Sequence, residues 1–169
     1  MNFKEYLRYQ DGQLFWVERN IEDFKTKKGH SIHIKRYANT LAGHVASNKY
    51  TQVRVCGKCY YAHRIIWVLH NGDIPSGAEI DHIDTNPLNN KIENLRLATS
   101  AENKHNMNKP THNTSGYKGV SLYKATGKYS AYIKLCGVKK HLGYFDTPEL
   151  ASKRYESAAN KYFKEFARV

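Results

Sequence analysis

The run "IDHIDTN" at residues 80–86 places Asp81, His82 and Asp84 within four positions, and asparagines follow at 86, 89, 90, 94, 103, 106 and 108. Carboxylate and amide oxygens are hard donors, suited to Mg²⁺ or a similar divalent ion that keeps several of its waters. An imidazole beside such a site accepts a proton from water near neutral pH. An acid, a base and a second oxygen ligand are what metal-assisted phosphodiester hydrolysis requires. The same residue types also make turns, and "DTNPLNN" read alone is a loop and nothing more. For Asp84 a turn or helix-cap role is the default.

Flanking elements must position these groups. Upstream, "AHRIIWVLHNG" has apolar residues at 62, 65, 66 and 69, which is helical spacing, with Gly72 and Pro75 as its stop. Downstream, residues 99–107 predict a short helix capped by Thr99 or Ser100, with Glu102 or Asn103 behind. Nearer the start, "YLRYQDGQLFWV" predicts a hairpin about Asp11-Gly12, and "TQVRVCGKCYYA" a second about Gly57-Lys58. The segment "ERNIEDFKTKKGHSIHIKRYANT" has weak periodicity and several lysines; it reads as loop with at most one short strand. "CGKC" at 56–59 followed by His63 raises the question of zinc, but no fourth ligand is evident and a two-residue turn accounts for the spacing, so no zinc is expected. Cys136 reads as a small buried residue at a strand end.

Residues 108–116, "NKPTHNTSG", have almost nothing to bury and read as a linker. Beyond them "YKGVSLYK", "KYSAYIKLC" and "KKHLGYF" alternate as three strands, with turns at Ala125-Thr126-Gly127 and Gly137-Val138. Thr147-Pro148-Glu149 opens a helix with a capping hydroxyl and a first-turn proline. Its apolar residues at 150, 151, 155, 158, 159, 162 and 166 form one stripe. Alternation puts Tyr129, Ala131, Ile133 and Leu135 inward, with Val120, Leu122 and Leu142. The outward face then carries Ser121, Tyr123, Tyr132, Lys134, Lys139 and His141. The expected fold class is α+β, divided into residues 1–107, a linker at 108–116, and a three-stranded antiparallel sheet packed on one helix at 117–169.

Charge says what such a face could meet. Lys plus Arg number 27 against 15 Asp plus Glu, a net +12 with a pI near 9.6. Residues 107–169 hold 12 basic and 4 acidic residues, hence +8, and residues 1–106 hold 15 and 11, hence +4. Basic residues interleaved with aromatics suit a folded surface that meets a polyanion, most often nucleic acid; a merely cationic soluble protein is the bland alternative. Arg64 is a candidate phosphate contact, and His63 either packs under the Asp81-His82 site or touches the nucleic acid. The hydrophobic fraction of 40% excludes a wholly disordered chain. No run approaches a membrane span and no basic-then-apolar leader opens the chain. Three cysteines, an odd number, argue against a secreted disulfide framework and for a reducing, cytoplasmic compartment.

"AHRIIWVLHNGDIPSGAEIDHIDTNPLNNKIENLRLATSAENKHN" closely resembles the HNH homing endonucleases of phages and mobile introns. His63-Arg64, Asp81-His82, Asn89-Asn90, "ENLRLAT" and a later asparagine fall in order, and the likeness covers roughly residues 6–107. It implies a ββα-metal nuclease in the N-terminal domain, with His82 as the general base. Asp81 and Asn103 become ligands of one Mg²⁺ or Mn²⁺ ion, and Asn94 the brace of the loop that aims the histidine. Asn103 stands where many members have histidine, which favours Mg²⁺ or Mn²⁺ over Zn²⁺; His105 and Asn106 lie close by in sequence. Residues 115–168 resemble the APETALA/ethylene-response-factor DNA-binding domain of plants, whose sheet reads the major groove. Ser121 and Tyr123 stand where plant members have arginine, and His141 where they have tryptophan, so a docking mode is implied and a base preference is not. Lys118, with Arg64 and the outward face, joins the implied DNA contacts. The two likenesses imply a site-specific endonuclease that acts as a monomer on double-stranded DNA in a phage host's cytoplasm and nicks one strand. Two other readings share these features: a DNA-binding regulator with a decayed nuclease site, and an RNA-directed nuclease or binder.

Overall fold

The computed structural model describes residues 1–107, 109 and 113–168. Asn108, Pro110, Thr111 and His112, four of the nine linker positions, lie outside the described residues. The chain forms two compact units, Met1–Leu97 and Ala98–Val169. Among the described residues no helix is long and apolar enough to cross a membrane.

In the first unit β1 (Leu7–Gln10) pairs antiparallel with β2 (Gln13–Trp16), Gln10 opposite Gln13. Asp11 and Gly12 between them both have positive φ, 47° and 82°, as a hairpin turn of the I′ kind requires. Next comes α1 (Lys27–Arg36), capped by the Thr26 hydroxyl on the Gly29 N–H at 3.0 Å. This corrects the expectation of loop. The helix lacks an apolar stripe, so periodicity does not reveal it; the His30 and His33 rings bond the Arg19 and Val17 carbonyls instead.

β3 (His44–Val45), β4 (Thr51–Val55) and β5 (Lys58–Tyr61) form a sheet in that order. β5 runs straight into α2 (Ala62–Asn71), whose Ile65 and Ile66 are buried with Leu7, Leu14, Val53, Val55, Ile80 and Leu95. Beyond α2, β6 (Glu79–His82) and β7 (Leu95–Ala98) make a two-stranded sheet.

The second unit opens with α3 (Ser100–Asn106). Thr99 and Glu102 form a reciprocal capping box, which selects Thr99 of the two candidate caps. β8 (Val120–Tyr123), β9 (Lys128–Leu135) and β10 (Val138–Phe145) form an antiparallel sheet in sequence order, covered by α4 (Pro148–Phe163). Ile133 packs on Tyr155, Ala158 and Ala159, and Val120 and Ala131 pack on Ala151. Small residues on α4 let it lie close to the sheet. Gly119 shows how close: a Cβ there would enter the Tyr155 ring and stand 2.7 Å from the Tyr132 carbonyl oxygen.

Three local expectations are corrected. The hairpin turns fall on Cys56-Gly57 and Cys136-Gly137, one residue earlier than expected, because both central positions need positive φ and glycine takes the second. Cys136 is therefore at a turn and exposed, not buried. Leu122, expected inward, is 47% exposed; it lies on an edge strand outside the Val120, Ala131 and Ala151 cluster that α4 covers.

Candidate active site

β6 ends on the chemistry. Its alternation is lost at Asp81 and His82, which are both buried, at 4% and 5% exposure. A buried carboxylate needs a compensating charge. Arg96, on the paired strand β7, supplies it, with Nε at 2.9 Å and Nη2 at 2.8 Å from Asp81 Oδ2. The period of two in "LRLA" puts Arg96 on a different face from Leu95 and Leu97, but spacing alone does not name its partner across the sheet.

His82 Nε2 lies 3.0 Å from Oδ1 of Asn90, itself buried. An amide oxygen only accepts, so this contact places the ring proton on Nε2 and leaves Nδ1 as the basic nitrogen. His63 meets the His82 ring edge to face at 5.1 Å and stacks on Tyr61 at 5.5 Å. Tyr50 contacts both imidazoles, at 5.4 and 6.1 Å. Burial, then the neighbouring His82 and Arg64, push the His63 pKa down to about 3, so it sits under His82 as a neutral ring at neutral pH. Of the two roles open to His63, packing beneath the site is the one its burial fits.

The loop from Ile83 to Asn94 is held by its own amides. Asp84 accepts from the Asn86 N–H at 2.8 Å, Asn89 Nδ2 at 2.7 Å and Asn94 Nδ2 at 2.9 Å. Burial raises the Asp84 carboxyl, but the bonds from Asn89, Asn86 and Asn94, with His82 nearby, outweigh it and hold the pKa below the usual range. Asn94 also donates to the Asn89 carbonyl at 2.8 Å and accepts from the Asp84 N–H at 3.0 Å. Asn94 thus clamps both ends of the segment that carries Asn90, and Asp84 is the hub of the turn.

The Cys56, Cys59 and Cys136 thiols are free and exposed. Among the described residues no three His, Cys, Asp or Glu side chains gather as a metal site. Arg64 lines a 710 Å³ cavity with Gln52, Tyr60, Tyr61 and Asp73.

In the second unit Asn103 rides on α3. Contacts that hold that helix include the His105 ring stacked on Phe163 at 3.6 Å and the Lys118 ammonium, which donates to the His105 and Met107 carbonyls at 2.7 Å each. Burial, then Arg168, lower the Lys118 pKa to about 8. Lys118 therefore caps the C-terminal end of α3 and is not one of the sheet-face cations. On the sheet, cross-strand partners share a face: Ser121 with Ser130, Tyr132 with His141, and Lys134 with Lys139. Tyr123 lies on it too, and Tyr144 joins it, 5.2 Å from Tyr123 and 4.6 Å from His141. Lys139 Nζ stands 3.6 Å over the Tyr132 ring.

Comparison with known proteins bears on this arrangement. Residues 60–105, from the end of β5 through α3, match the family model for an HNH endonuclease. The chain is 40% identical over 95 residues to Protein 3.8 of Escherichia phage T7, covering 56% of this chain and 78% of that protein. It is also 40% identical over 106 residues to the uncharacterized HNH endonuclease L560 of Acanthamoeba polyphaga mimivirus, covering 62% and 54%.

The chain belongs to the HNH endonuclease family.

As an HNH endonuclease it hydrolyses phosphodiester bonds, and members of the family work with a divalent metal. Over 53 residues, 31% of its length, this HNH protein is also 40% identical to the APETALA2-like protein 2 of rice, of which it covers 12%.

Proposed function

We propose that this HNH endonuclease is a homing-type, site-specific enzyme that nicks duplex DNA with one divalent ion and a histidine general base. The observation that carries the proposal is the buried Asp81–His82 pair, with His82 Nε2 held 3.0 Å from the Asn90 amide oxygen. His82 then takes a proton from water at Nδ1 as the water oxygen forms its bond to phosphorus. The bond from phosphorus to the 3′ oxygen breaks, and that oxygen leaves and is protonated from solvent. Neutral His63 and the Tyr50 ring hold the imidazole plane without adding a charge that would oppose its protonation. Asn94 acts through the loop, keeping Asn90 in place, and is a positioning residue.

Asp81 and Asn103 would hold the ion. Their donor chemistry fits Mg²⁺ or Mn²⁺: one carboxylate and one amide oxygen, few and hard, suit an ion that keeps several waters. Arg96, bonded to Asp81 Oδ2, holds the carboxylate in place on β6. When bound, the ion offsets the negative charge that builds on the phosphate and the leaving oxygen.

We assign the nuclease to residues 1–107, the linker to 108–116 and a DNA reader to 117–169. The reader would lay Ser121, Tyr123, Tyr132, Lys134, Lys139 and His141 in the major groove, lysines toward phosphates and polar or aromatic groups toward base edges. Arg64 would meet a phosphate near the site, and a single chain would act on the duplex.

Chelation tests the metal assignment. Mg²⁺ and Mn²⁺ should each support cutting, and EDTA should abolish it with the circular dichroism spectrum unchanged. Unfolding on chelation would instead mean structural metal and would return attention to Cys56 and Cys59.

A further inference from the structure

Residues 24–72 contain nine Lys and Arg and not one Asp or Glu. Five of the nine, Lys25, Lys27, Lys28, Lys35 and Arg36, lie on α1 or just before it, and all five are exposed. On a helix of 3.6 residues per turn, Lys27, Lys28, Ser31, Lys35 and Arg36 share one half of the circumference with one exposed apolar residue, Ile32. Gly29, His30, His33 and Ile34 share the other. That second half is the docked one. His30 Nε2 meets the Arg19 carbonyl at 3.1 Å, His33 Nε2 meets the Val17 carbonyl at 3.3 Å, and the Phe24 ring contacts both imidazoles. Among the described residues none of the five cations makes an ion pair; the nearby Asp23 is bound to Arg19.

Lys35 and Arg36 suit the C-terminal turn of α1, but Lys27 and Lys28 stand in its first turn, where a cation opposes the helix dipole. A glycine in the first turns disfavours the helix further. A rigid, acid-free cationic face suits a polyanion of regular charge spacing, and Ser31 adds a neutral donor of the kind that bonds phosphate oxygens. Lys and Arg without aromatics among them position a duplex and do not read its bases.

We propose that the outer face of α1 is a phosphate-backbone clamp for duplex DNA, within the N-terminal unit and separate from the sheet face of the second unit. The proposal rests on the DNA-nuclease reading. It gives the nuclease unit an affinity of its own for any sequence, with site choice left to the other surface.

The test uses the full-length chain carrying Lys27→Ala, Lys28→Ala, Lys35→Ala and Arg36→Ala together. Alanine favours helix, so α1 is retained. Affinity for a duplex oligonucleotide is measured by fluorescence anisotropy across a salt series. The expected result is weaker binding and a log–log salt slope shallower by about 0.9 for each phosphate no longer neutralised, so by about three to four in all. The single-turnover cutting rate at saturating DNA should not change. A control that removes the same formal charge elsewhere, Lys4→Ala, Lys153→Ala, Arg154→Ala and Lys161→Ala, should move the slope far less. An α1 variant with the wild-type slope, or a control with an equal change, would overturn the clamp while leaving the nuclease reading intact. A wild-type chain that binds no duplex at all would overturn both.

Discussion

His82→Ala should lower the cleavage rate at saturating DNA by about 10²–10⁴, the range that a positioned general base supplies. Duplex affinity should stay within a few-fold of wild type, because the imidazole is buried and assigned to water, not to the phosphate backbone. Asn90→Leu should fall between the two proteins. It keeps the side-chain volume and removes the acceptor, so Nε2 loses the bond that fixes its proton and Nδ1 is no longer dependably the basic atom. The loss should appear in the turnover rate and not in the DNA concentration at half-maximal rate. Two-bond ¹⁵N–¹H spectra should show the Nε2–H tautomer of His82 in wild type and a mixture in Asn90→Leu. A wild-type spectrum with the proton on Nδ1 would refute the role of Asn90, and full activity in His82→Ala would refute the base.

The second large effect is expected far from the Asp81–His82 pair in sequence. Phe163 carries the ring against which His105 stacks, and α3, with Asn103 on it, loses that support in Phe163→Ala. If Asn103 ligates the ion, the divalent metal needed for half-maximal cutting should rise by about 10- to 100-fold, as when an outer partner of a ligand is removed. Cutting should recover at high Mg²⁺, and the far-ultraviolet spectrum should be that of wild type. An unchanged metal requirement would mean that α3 is positioned without Phe163, or that Asn103 is not a ligand.

Much of this is legible in the residues, and the parts that are not share a physical cause. Asp11-Gly12, the spacing of Ile65 and Ile66, and Thr147-Pro148 are local signals, and the elements they announce are present. The tyrosine and lysine face of the sheet follows from alternation alone, and the register assembles it. α1 is illegible because its docking depends on two histidine rings and carbonyls 11 and 16 residues away, not on an apolar stripe. Asn90 and Arg96 are visible as residues, yet their partners are set by loop closure and strand pairing, which spacing does not encode. Lys118 reads as one more surface cation; only the tertiary structure sends its ammonium to the end of α3.

The most direct measurement incubates genomic DNA with the full-length chain and Mg²⁺ and maps the ends produced on both strands. Breaks should appear at discrete positions on one strand, with 3′-hydroxyl and 5′-phosphate ends that a DNA ligase seals. They should vanish in EDTA and in His82→Ala. A chain that binds the duplex but yields no ends above background with either Mg²⁺ or Mn²⁺ would contradict a working nuclease and leave a DNA-binding regulator in its place.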